Sequence, residues 1–130
     1  MKIPRVLLAA LAIAGMPGAA SASETGLSKQ YAVCMDQSGG TTLGMIECIS
    51  AETRRQDVRL NKAYKALMAE VTSPRKAQLQ DAQRGWIKYR DANCAFYDDP
   101  DGGTLARVNA NGCMMNATAD RARELERLGQ

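Results

Sequence analysis

The chain contains no histidine. That absence removes the commonest general base, the commonest metal ligand and the Ser-His pairing of many hydrolases. Aromatic residues are scarce, with one Trp, one Phe and four Tyr, so an aromatic-lined basic groove for single-stranded nucleic acid is not indicated. None of the four cysteines lies in a C-x-x-C pair, which argues against a thioredoxin-like redox motif and a zinc ribbon. No phosphate-cradling glycine motif is present. The sequence therefore nominates no catalytic, cofactor-binding or metal-binding residue, and it points to a binding protein rather than an enzyme.

What is present begins with an address. Lys2 and Arg5 precede an apolar run from Val6 to Met16, Pro17-Gly18 breaks it, and Ala20-Ser21-Ala22 supplies a small-residue cleavage pattern. This order predicts a signal peptide over residues 1–22, with an apolar run too short to span a bilayer. Cleavage after Ala22 would leave one domain over residues 23–130, with no cysteine at the cleavage point to carry a lipid and no stable membrane anchor. It would also take away Lys2 and Arg5, lowering the formal charge from +3 to about +1. A nearly neutral domain gives no electrostatic case for nucleic acid as a partner.

In an exported chain, Cys34, Cys48, Cys94 and Cys113 read as disulfides, and four cysteines allow three pairings. Cys34–Cys48 and Cys94–Cys113 are preferred because each closes a short local loop. Such links matter in a domain this small, whose core is modest.

The hydrophobic pattern predicts an all-α fold: an antiparallel helical hairpin plus a shorter third helix, stapled by two disulfides. Leu27 to Met35 suits a short helix holding Cys34, ended by Ser38-Gly39-Gly40. Thr41 or Thr42 caps a long helix to about Val71, with Ile46, Ile49, Leu60, Tyr64, Leu67 and Val71 in one stripe. Ser73-Pro74 opens a second helix to about Phe96, with Leu79, Ala82, Trp86, Tyr89 and Asn93 as its stripe. Residues 97–112, containing Asp98, Asp99, Pro100, Asp101, Gly102, Gly103 and the pair Asn111-Gly112, read as a loop. A third, shorter helix follows from about Thr118, with Ala122, Leu125 and Leu128 as its apolar side.

Folding the two long helices back on each other brings Asp57 and Arg90 toward the same end. Each lies on or beside an apolar stripe, where a charge needs a partner, so a structural ion pair across the hairpin is expected. The acidic loop Asp98–Gly103 does not match the spacing of a calcium-binding loop. Aspartate and glycine there make turns, and the same residues are the leading candidates for a partner-contacting surface.

The run from Ala82 to Cys94, AQRGWIKYRDANC, closely resembles the AQRxWIxYRDAxC signature of the LprI-type lysozyme inhibitor family. Met45 to Cys48 resembles the start of that family's first helix, although Gly44 stands where glutamate is common. Asp57, Leu60, Asn61 and Tyr64, then Gly102-Gly103-Thr104, Cys113, Thr118 and Arg121, are similar to its later pattern. The resemblance implies an exported helical domain with disulfides, and a protein partner such as a lysozyme. It supplies no catalytic residue. Under this reading the protein is a periplasmic or secreted inhibitor that protects peptidoglycan. Asp98, Asp99, Asp101, Gly102 and Gly103 would then face a basic lysozyme surface around its carboxylate-lined cleft. The other reading is a non-inhibitory interaction or structural domain of the cell envelope.

Overall fold

The computed structural model describes residues 26–130; the signal peptide expected over residues 1–22 lies outside them. The described chain forms four helices and no strand. Helix α1 (Lys29–Gln37) is opened by Ser28, whose hydroxyl accepts the amide of Tyr31. Thr41 does the same for the amide of Gly44 and starts α2 (Thr42–Glu70). These oxygens satisfy amides that have no partner within the helix.

Only Val71 and Thr72 separate α2 from α3 (Ser73–Phe96), with Pro74 in the first turn, where its missing N–H leaves no bond unmade. The chain reverses here, so that Leu67 and Val71 share a groove with Leu79 and Ala82. Helix α4 (Gly103–Leu128) completes the fold.

The third long element corrects the expected outline. It starts at Gly103 rather than near Thr118, so the predicted loop of residues 97–112 shrinks to the segment before Gly103. Asn111-Gly112 is helical. Thr118 is likewise no cap: it is buried, and its hydroxyl donates to the Met114 carbonyl one turn earlier. The turn propensity of Asn-Gly is a local preference worth about 1 kcal/mol for the glycine, and burial of a whole helix face outweighs it. That face consists of Ala106, Met115, Thr118, Ala119, Ala122 and Leu125.

Helix α2 presents Cys48, Ile49, Glu52, Gln56, Leu60, Ala63 and Leu67 at helical spacing. Leu60, Ala63 and Leu67 join Ala122 and Leu125 in the core, with Tyr64, Val71, Leu79 and Trp86 packed at its edge. The alanines on both helices shorten the distance at which their axes can pack. The central packing is therefore α2 on α4, and α3 approaches α4 more extensively than it approaches α2. Only Gln83 and Cys94 of α3 are buried. The expected close two-helix hairpin with a minor third helix is thus replaced by an α2–α4 core with α3 alongside.

Two disulfides close the structure, Cys34–Cys48 and Cys94–Cys113, with Cα atoms 5.6 and 5.4 Å apart. They are the two local pairings preferred on loop length. Helix α1 buries no residue of its own, so its position depends on the first disulfide and on the polar contacts described next.

Candidate functional site

The polar interior lies beneath α1. Glu52 is fully buried. Its carboxylate accepts the Ser28 amide at 2.8 Å, the Ser28 hydroxyl at 2.5 Å, Arg55 Nε at 2.7 Å and Gln56 Nε2 at 2.7 Å. Burial alone would raise its pKa; the hydrogen bonds from Ser28, Gln56 and Arg55 prevail and hold it at about 2. Burial, with the nearby Glu52 charge, raises the pKa of Tyr31.

The network continues along α2. Gln56 Nε2 and Arg59 Nη1 both donate to the carbonyl of Gly26, at 3.0 and 3.2 Å. Arg59 then makes a two-point contact with Glu126 of α4, at 2.6 and 2.5 Å. This contact raises the pKa of Arg59 and lowers that of Glu126. The chain leading into α1 is thereby tied to α2, and α2 to α4. Glu52 and Gln56 occupy stripe positions three and seven residues beyond Ile49. Polar residues on a buried stripe were the sequence signal for this hub, and reading the stripe from its apolar members alone missed them.

The expected Asp57–Arg90 pair is not formed. The two residues border one groove between α2 and α3, but Asp57 accepts from Asn61 Nδ2 at 3.3 Å and Arg90 donates to its neighbour Asp91 at 2.8 and 2.9 Å. Asp57 is exposed, so it needs no buried counter-charge. Arg90 instead lies over the Trp86 ring, 4.9 Å from its centroid, and Arg121 approaches the same ring at 5.9 Å. Arg121 also donates to Gln83 Oε1 at 3.0 Å. Trp86 is accordingly a core-edge anchor held under two guanidinium groups.

The candidate partner surface sits at the α3–α4 connection. The Tyr97 and Asp98 amides close the last turn of α3 on the carbonyls of Cys94 and Ala95. Pro100 then prevents helix continuation. Asp99 organises the turn: its side-chain oxygen accepts the Asp101 amide at 2.9 Å and its carbonyl accepts the Gly102 amide at 3.0 Å. Glycine is required at 102, where a Cβ would lie 2.9 Å from the Cβ of Ala106, and at 103, where φ is +65°. The structure therefore places Asp98, Asp99, Asp101, Gly102 and Gly103 in one exposed turn.

Its surroundings supply what sequence reasoning left out. Phe96 is 86% exposed, with Tyr97 and Leu105 also open to solvent, and the Phe96 and Tyr97 rings meet edge to face at 6.4 Å. No basic residue occurs between Arg90 and Arg107. The Cys94–Cys113 disulfide holds the base of this end. The turn is thus a rigidly mounted acidic tip with apolar side chains beside it. Among the described residues, no group of three or more Cys, Asp or Glu is placed to hold a metal ion, and no helix is long and apolar enough to cross a membrane.

The fold and this surface define a small all-helical module, stapled twice and bearing an acidic, partly apolar end. Two disulfides and no free cysteine suit an oxidising compartment. The chain belongs to the lysozyme inhibitor LprI family, whose model matches residues 34–125. It is also similar, at 30% identity over 95 residues, to an uncharacterised protein of Rhizobium meliloti (strain 1021), the match covering 62% of this chain and 68% of that protein. No solved structure matches. The family match takes in all four cysteines and the acidic turn.

Proposed function

We propose that the protein is a periplasmic lysozyme inhibitor that binds a lysozyme through the α3–α4 tip and so protects peptidoglycan. Family membership over residues 34–125 carries this reading. The signal-peptide pattern of residues 1–22 supports export, and the two disulfides agree with it.

The chemistry of the tip suits the task. Asp98, Asp99 and Asp101 present negative charge in a stretch, residues 91–106, that holds no basic residue, which draws a basic enzyme into encounter. Phe96, Tyr97 and Leu105 supply the apolar contact that electrostatics alone does not, and exposed aromatics flanked by polar groups are characteristic of binding hot spots. The disulfide and the Asp99 turn keep this end ordered before binding, so little entropy is lost on association. No proton transfer or covalent step is involved; inhibition is occlusion of the cleft.

The test is clearing of a bacterial cell-wall suspension by lysozyme, followed by turbidity, with the oxidised protein added in increasing amounts. Dose-dependent loss of clearing is expected. Complex formation without inhibition would assign a non-inhibitory envelope role, and no complex with any lysozyme class would overturn the proposal.

A further inference from the structure

A second surface adjoins the acidic tip, sharing Tyr97 with it, and runs between α3 and α4. It is a groove of ≈ 710 Å³. On its α3 side stand Trp86, Tyr89, Asn93 and Tyr97, spaced so that all four share one helix face. Tyr89 is 67% exposed and Tyr97 48%. Eight residues separate the two tyrosines, about 12 Å along the helix. That span suits a short oligomer rather than a single ring.

The α4 side is polar. Asn109 and Asn116 project into the groove with Asp120, Arg121, Glu124 and Arg127. The two acidic and two basic groups cancel, and Arg121 is already bridged to Glu124 at 2.6 Å. A lining with no net charge does not select a polyanion or a polycation. The exposed Asn109 and Asn116 carboxamides, each with paired donors and an acceptor, suit a neutral ligand rich in amides and hydroxyls. The floor is opened by Gly112 and Ala117. A Cβ at Gly112 would meet nothing within 4 Å, so packing does not require glycine there, although glycine weakens a helix interior.

From these features we infer that the α3–α4 groove is a binding site for an uncharged, N-acetylated oligosaccharide. Tyr89 and Tyr97 stack on the apolar faces of its sugar rings, and Asn93, Asn109 and Asn116 pair with its acetamido and hydroxyl groups. Trp86, packed on the core and covered by Arg90 and Arg121, forms the inner wall. The site does not rest on the lysozyme reading: Tyr97 borders both surfaces, but Tyr89 belongs to the groove alone and Asp98, Asp99 and Asp101 to the tip alone.

Trp86 is the only tryptophan, so the groove carries its own reporter. The experiment titrates the oxidised protein with chitotetraose, following tryptophan emission, with cellotetraose, which lacks acetamido groups, in parallel. A saturable emission change is expected with chitotetraose, weakened at least about tenfold in Tyr89→Ala and in Tyr97→Ala. An Asp98→Asn/Asp99→Asn/Asp101→Asn variant should bind the sugar as the unaltered protein does. Both tyrosines are substantially exposed, and circular dichroism of each variant verifies that the helices persist. No response to chitotetraose, or a response that both tyrosine variants retain in full, overturns the site. Equal affinity for cellotetraose overturns recognition of the N-acetyl group. Loss of sugar binding with inhibition intact in Tyr89→Ala, or the reverse in the triple aspartate variant, separates this site from the tip, whereas Tyr97→Ala touches both.

Discussion

The backbone amide and the hydroxyl of Ser28 both donate to the buried carboxylate of Glu52, at 2.8 and 2.5 Å. This double contact spans 24 residues and joins the start of α1 to the middle of α2. It works with the Cys34–Cys48 bond to seat a helix that has no buried side chain. Because the folded pKa of Glu52 is about 2, below the ordinary 4.5, its contribution is fully present above pH 4.5 and is lost as pH falls through about 2. The shift corresponds to about 3 kcal/mol. Denaturant unfolding of the oxidised protein at pH 6 and at pH 2.5 should show a substantial loss at the lower pH. In Glu52→Gln that pH dependence should shrink, with stability at pH 6 lower by roughly 1–3 kcal/mol.

The two disulfides close loops of similar size, with sequence separations of 14 and 19. In the chain-entropy model each contributes about 3 kcal/mol. Replacing either pair by serine should lower the melting temperature by roughly 10–20 °C. The two losses should differ in location. Without Cys34–Cys48, amide exchange should accelerate mainly in α1; without Cys94–Cys113, it should accelerate at the end of α3 and the start of α4.

Glycines 102 and 112 make opposite predictions. Gly102→Ala drives a methyl to 2.9 Å from buried Ala106 and should destabilise by roughly 1–3 kcal/mol. Gly112→Ala meets open space in mid-helix and should stabilise by about 0.5–1 kcal/mol. Chemical denaturation of both variants beside the parent gives the two signs directly.

Charge and apolar contact at the tip should affect different rate constants. Asp98→Asn/Asp99→Asn/Asp101→Asn should slow association with a basic lysozyme by roughly tenfold at low salt, with the difference closing at high salt. Phe96→Ala should instead speed dissociation, by about tenfold or more. Surface plasmon resonance at two ionic strengths separates the effects.

Much of this architecture was legible in the residues. Thr41 as a cap, the stripe through Ile49, Leu60 and Leu67, and the break at Val71-Thr72 all follow from local chemistry. Their signals lie within one or two turns of the helix they define. The cap of α3 shifted by one residue, with Thr72 at the cap and Ser73 already helical. The start of α4 was hidden because Asn111-Gly112 looks like a turn, and only its packing on α2 overrides that preference. Arg90 was read as needing a counter-ion across the hairpin. Its partners are instead the adjacent Asp91 and the Trp86 ring, which a pattern of charges and stripes does not distinguish. At the tip, the acidic turn was plain from Asp-Asp-Pro-Asp-Gly-Gly. The exposure of Phe96 was not, since an aromatic at a helix end ordinarily packs inward and only the three-dimensional arrangement leaves it outside.

Hydrogen–deuterium exchange of the oxidised protein, with and without saturating lysozyme, maps the contact most directly. Slowed exchange concentrated in residues 96–105 is the expected footprint, with α1 and the exposed side of α2 unchanged. Protection confined to any other face, or none in the presence of a formed complex, would contradict the assignment of the α3–α4 tip.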